Sequence, residues 1–116
     1  MPDDTEPLLR RLIGGDAPAR TEILDRAPTS STPALLVAAA LLAPEPAPLL
    51  DRADAHAAST RDRQLVAVAR AHVAGDDELL DALVRDHLAD HPDNLLAAWI
   101  AGQHRDPEPT PVPPTA

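Results

Sequence analysis

The sequence predicts an all-α fold in which about seven short helices form tandem antiparallel hairpins. Three observations predict it. Its apolar residues are almost entirely Leu, Ile, Val and Ala, with no Phe, Tyr or Cys, one Trp and one Met. Ala and Leu rank among the best helix formers, whereas strand preference rests on aromatic and β-branched residues, the former nearly missing here. The chain is also punctuated at short intervals by Gly, Pro, Ser, Thr and Asp in the order that caps and stops helices.

The first helix opens at Thr5, carries Leu8, Leu9, Leu12 and Ile13, and stops at Gly14-Gly15, where Gly accepts a left-handed conformation. Asp16 is placed to cap a second helix running through Ile23 and Leu24, with Pro18 tolerated in its first turn. Residues 28–32 break the chain. Thr32-Pro33 is a cap followed by proline at the first helical position. The third helix, Ala34 to Ala43, is apolar all round and so expected to be the most buried.

Pro44-Glu45-Pro46 forces a turn into a fourth helix, about Ala47 to Ala58, and Ser59-Thr60 caps a fifth, Arg61 to Ala74. Gly75-Asp76 ends that helix and caps a sixth. In the sixth, Leu80, Leu83, Val84, His87, Leu88 and His91 follow helical periodicity. A seventh helix, roughly Asp93 to Gln103, carries Leu95, Leu96, Trp99 and Ile100. The helical domain thus spans residues 1–104, and the Pro-rich segment 105–116 reads as a disordered or polyproline-like tail. Its Pro111-x-x-Pro114 spacing can dock on an aromatic groove, although a solubilising terminus is the commoner role.

Hairpin onsets recur near Thr5, Thr32 and Thr60, a period of about 28 to 30 residues that marks helical solenoids. Residues 61–94 resemble one tetratricopeptide repeat: Gly75-Asp76 stands at the inter-helix turn, Pro92 near the end, Asp93-Asn94 after it, and Gly102 at a small-residue position of the next unit. Gln64 and Ala71 stand where that family has large aromatics, and Leu80 and His87 where it has small residues. The resemblance implies a short right-handed array that binds proteins or peptides without catalysis. It further implies that the first helix of each unit faces a concave groove, which places Asp62, Ala69 and His72 beside a partner. Trp99 is the fourth partner-facing candidate, since Trp is enriched at binding hot spots, although its spacing with Leu95, Leu96 and Ile100 favours core packing.

The net charge of −9, from 19 acids against 10 arginines, argues against nucleic acid and against anionic membrane surfaces. The longest apolar run, Ala34 to Ala43, is too short to span a bilayer. The acidic start, Met1-Pro-Asp-Asp-Thr-Glu, lacks the regions of a signal peptide, so a cytoplasmic protein is expected.

His87 and His91, four residues apart on one helix, can present two imidazoles to a metal ion, with His72 as a third ligand. The structural reading is preferred. His91 suits a helix C-terminus, His87 lies on an apolar stripe, and the pair lacks the Glu of the zinc-protease pattern. Ser30, Ser31 and Ser59 lie in linkers without a nucleophile elbow, and no Gly-rich phosphate loop is present. The sequence therefore predicts no cofactor and no enzyme activity, and a module whose partner is a protein or peptide. Two alternatives stand beside it. One is a small His-based metal-binding or hydrolytic protein, and the other a homodimer in which the end of the array stacks on its twin.

Overall fold

The computed structural model describes the backbone of residues 5–105 and the side chains of residues 5–102. Every regular element in that range is helical: α1 (Thr5–Ile13), α2 (Ala17–Arg26), a 3-10 turn (Ala27–Thr29), α3 (Pro33–Leu42), α4 (Pro46–His56), α5 (Thr60–Ala74), α6 (Asp77–Asp90) and α7 (Leu95–Arg105). The all-α expectation holds element by element. The Pro-rich tail expected from residue 105 lies, from residue 106 onward, outside the described residues, as do the first four residues.

The turns after α1 and α5 are built alike. Gly15 and Gly75 adopt φ of 92° and 73°, the left-handed region. In each, the glycine N–H bonds the carbonyl three residues back (Leu12, His72) and the following Asp N–H reaches five back (Arg11, Ala71). This is the Schellman arrangement, which satisfies helix-end carbonyls. A Cβ at Gly75 would touch nothing within 4 Å, so Gly75→Ala is penalised by backbone conformation alone. It is expected to destabilise by about 1 kcal/mol. Gly102, inside α7 and equally open, should respond to Gly102→Ala with a gain of about 0.5–1 kcal/mol. Urea denaturation of the two variants checks both signs.

Caps divide into two kinds. Ser59 Oγ accepts from Asp62 N–H at 3.1 Å while the Asp62 carboxylate accepts from Ala58 N–H at 3.4 Å, and Asp76 accepts from Leu79 N–H at 3.2 Å. Asp16 precedes α2 but makes no side-chain cap, because the Arg11 guanidinium holds its carboxylate at 2.8 Å. Thr32 likewise precedes α3 without a side-chain cap. The seventh helix starts later than its sequence suggests, at Leu95 instead of Asp93, and Asn94 caps it, with Oδ1 accepting from Ala97 N–H at 3.3 Å.

α3 is the centre of the fold. Its residues Leu35 to Ala40 are all buried, as its uniformly apolar sequence predicts. It packs against α1, α2, α4 and α5. Arg52 of α4 fastens the irregular stretch that leads into α3, donating to Ala27 O at 2.8 Å and to Ser30 O at 2.7 Å. The planar guanidinium suits this double contact, since its donors lie in a fixed fork.

Consecutive helices pair as hairpins, and the odd-numbered helices form an inner set: α1 packs on α3, α3 on α5, α5 on α7, and α7 back on α1. The even helices sit outside. α2 bridges α1 and α3, α4 bridges α3 and α5, and α6 bridges α5 and α7. The inner set is therefore a closed ring, unlike the open concave groove that the resemblance implies. Ala69, expected on that groove, has 0% exposure and belongs to the core, which removes it from any partner-facing surface. The physical reason is small side chains. Buried alanines on α3, α5 and α7 leave little side-chain bulk between these inner helices, and α7 packs back on α1. The two helices at the ends of the array, α1 and α7, are in contact with each other.

Candidate functional site

Alternating chain direction brings the N-termini of all four inner helices to the same end of the ring. There they surround a cavity of about 360 Å³. α1 contributes Thr5, Glu6 and Leu9; α3 contributes Pro33 and Ala34 with Thr32 before them; α5 contributes Arg61, Asp62 and Leu65; α7 contributes Leu95 and Leu96 after Asp93 and Asn94. Leu9, Leu65 and Leu96 are buried and give the cavity an apolar floor. Its rim is polar.

The first N–H groups of each helix lack intrahelical acceptors, so helix N-termini carry partial positive charge. Three carboxylates, Glu6, Asp62 and Asp93, offset that field at the rim. Two have other commitments: Glu6 pairs with Arg10 at 3.0 Å, and Asp62 completes the cap of α5. Arg61 is the one guanidinium among the described residues lining the cavity. An apolar floor under a rim of both charge signs suits an apolar side chain entering with polar groups around it.

Behind one wall lies a buried polar chain. His87 of α6 has 0% exposure, and Asn94 has 5%. The Asn94 amide Nδ2 donates to His87 Nε2 at 2.7 Å, and His87 Nδ1 donates to Gln64 Oε1 of α5 at 2.8 Å. The amide cannot be turned round without cost, because its Oδ1 accepts from Ala97 N–H. Imidazole orientation and tautomer are thereby fixed: neutral, with the proton on Nδ1. Burial pushes the His87 pKa below its ordinary value of 6.5, and the charges of His91 and Arg61 push it the same way, with Asp90 opposing.

This chain settles what the histidine pair does with its nitrogens. His91 does lie beside His87, ring centroids 5.0 Å apart. Both His87 nitrogens, however, are engaged within the protein, leaving no lone pair for an ion. Among the described residues no group of three His, Cys, Asp or Glu is placed to hold a metal, so His72, His87 and His91 are not brought together as ligands. The remaining partner-facing candidates scatter. Asp62 lines the cavity, His72 is half-buried elsewhere on α5, and Trp99 is half-buried against the core.

Sequence reasoning missed Asn94 as both cavity wall and histidine partner, and it missed Gln64. A signal existed. A histidine on an apolar stripe needs polar partners when buried, and Gln64 stands on the neighbouring helix at a position expected to be large and apolar. No family model, curated protein or solved structure matches the chain.

Proposed function

We propose that this chain is a non-catalytic protein-interaction module of the tetratricopeptide-like kind, and that it takes a partner's apolar side chain into the cavity at the N-terminal end of the inner ring. The observation that carries this reading is the convergence of four helix starts on one cavity with an apolar floor and a charged rim. Its volume falls within the range of sites that hold ligands, about 300–1,000 Å³. Its described lining contains no Ser, Cys or His, and two of its three carboxylates already serve an ion pair or a cap. That inventory favours binding over acid–base or nucleophilic chemistry. No helix among the described residues is long and apolar enough to cross a membrane.

Quantitative affinity capture with three forms of the chain tests the reading. Ala34→Phe fills the mouth of the cavity from α3. Glu78→Lys changes an exposed charge at the start of α6, at the opposite end of the helices. A partner retained by wild type and by Glu78→Lys should fall by at least about tenfold with Ala34→Phe, roughly 1.4 kcal/mol of binding. Equal capture by all three, with unchanged helical circular dichroism in Ala34→Phe, removes the cavity as the binding site. Light scattering of the captured species shows whether the partner is a second copy.

A further inference from the structure

Three of the four inner junctions are braced from outside: α2 spans α1 and α3, α4 spans α3 and α5, and α6 spans α5 and α7. The α7–α1 junction has no outer helix packed across it among the described residues. It is the seam of the ring, and the cavity lining includes Thr5, Glu6 and Leu9 on one side of it and Asn94, Leu95 and Leu96 on the other. The start of α7 is tied to α6 by Asn94, which accepts from Ala97 N–H with its oxygen and donates to His87 Nε2 with its nitrogen.

We propose that Gln64, His87 and Asn94 form a proton-operated latch that ties the start of α7 to α6 and α5, and that protonation of His87 releases it and opens the cavity wall that α7 provides. The chemistry follows from donor and acceptor inventory. Nε2 is an acceptor in the neutral ring and a donor once protonated. The new N–H would point at the Asn94 NH₂ group, donor against donor, with the imidazole fully buried and Asn94 nearly so. The amide can rotate to offer its oxygen, but then Ala97 N–H faces the NH₂ group and α7 loses its cap. In either case one buried polar group goes unpaired, which disfavours the closed form. Opening α7 relieves it by giving both groups to water.

The charged groups around the ring set the direction. Arg61 of α5 and His91, just past the end of α6, oppose the imidazolium, and Asp90 of α6 favours it; among the described residues α7 presents only the Asn94 amide. Burial and these charges hold His87 neutral when closed. In an opened state the ring returns towards its ordinary value of 6.5. The opened state therefore binds more protons, and its population rises as pH falls from the ordinary value towards the lowered one of the closed form. The rise is at most about tenfold per pH unit. The effect on a partner rests on the cavity being its site, whereas the latch itself is observable with no partner present.

Hydrogen exchange tests it on the full chain. Protection factors of the Ala97, Ala98 and Trp99 amides should fall between about pH 7 and pH 5 by up to about tenfold per unit, while those in α3 fall less. His87→Gln, which can bridge the same two amides but cannot titrate, should make α7 protection independent of pH. Asn94→Asp supplies a carboxylate that accepts from the imidazolium while still capping α7. The folded pKa of His87 then rises, and α7 protection should be greater at low pH and fall as pH increases through it. The proposal is overturned if His87→Gln keeps the wild-type slope, or if α7 and α3 lose protection together. Should His87→Gln fail to fold, imidazole NMR of the wild type decides. Titration of His87 coinciding with loss of α7 protection supports the latch, and protonation without loss, or no change in either, overturns it.

Discussion

Leu36→Ala is expected to lower the free energy of unfolding by about 3–4 kcal/mol, towards the upper part of the range for a buried leucine. Leu36 has 0% exposure in the middle of α3, the helix in contact with α1, α2, α4 and α5. The cost of such a truncation depends on how far the neighbours can collapse into the space left. Here a good part of the buried core is alanine. Ala19, Ala38, Ala39, Ala53, Ala69 and Ala97 are all fully buried, and an alanine has no side-chain torsion with which to fill a void. Urea unfolding should show the midpoint shifted with the slope unchanged. A loss below about 1 kcal/mol would mean that the helices themselves slide inward, and that close packing does not fix the ring.

Asn94→Ala is the second large effect, at about 2–4 kcal/mol. It removes the cap of α7, an effect of about 1 kcal/mol at an exposed helix end. It also leaves His87 Nε2 buried without a donor, which adds about 1–3 kcal/mol. Ser59→Ala provides the comparison. Its cap at the exposed start of α5 has similar geometry, 3.1 Å to Asp62 N–H, but supports no buried partner. It should cost only about 1 kcal/mol. Urea denaturation of the two variants side by side isolates the histidine contribution, and equal losses would show that the His87–Asn94 bond adds nothing.

Helix positions were legible in the sequence because they depend on local chemistry. Gly15-Asp16 and Gly75-Asp76 mark their turns by themselves, and the unbroken apolar run of α3 announces a helix buried on every side. Asp16 shows where local reading stops: a capping residue in sequence became an ion-pair partner because Arg11 stands one turn earlier. The ring lay further out of reach. Contact between α1 and α7 joins the two ends of the helical region, and periodicity says which face of a helix is apolar without saying what covers it. The cavity inherits that difficulty, since its lining comes from four separate stretches of chain. Within it, Asp62 was marked by the tetratricopeptide resemblance as partner-facing, whereas Thr5 and Thr32 read only as helix punctuation and Asn94 only as part of the repeat-like Asp93-Asn94 pair. Asn94 does serve as punctuation; its second role needs the position of α6 to be known.

Contact between the first and last helices also limits how such a protein can change in size. An open solenoid lengthens by acquiring another hairpin, and it needs polar units at its ends to stay apart from its copies. In this ring α1 and α7 act as one another's end caps. A further hairpin of the same shape would have to be wedged between them, separating faces that include Leu9 and Leu96, both buried now. The number of units is thus a consequence of curvature, and growth is confined to the connecting segments and the chain beyond the ring.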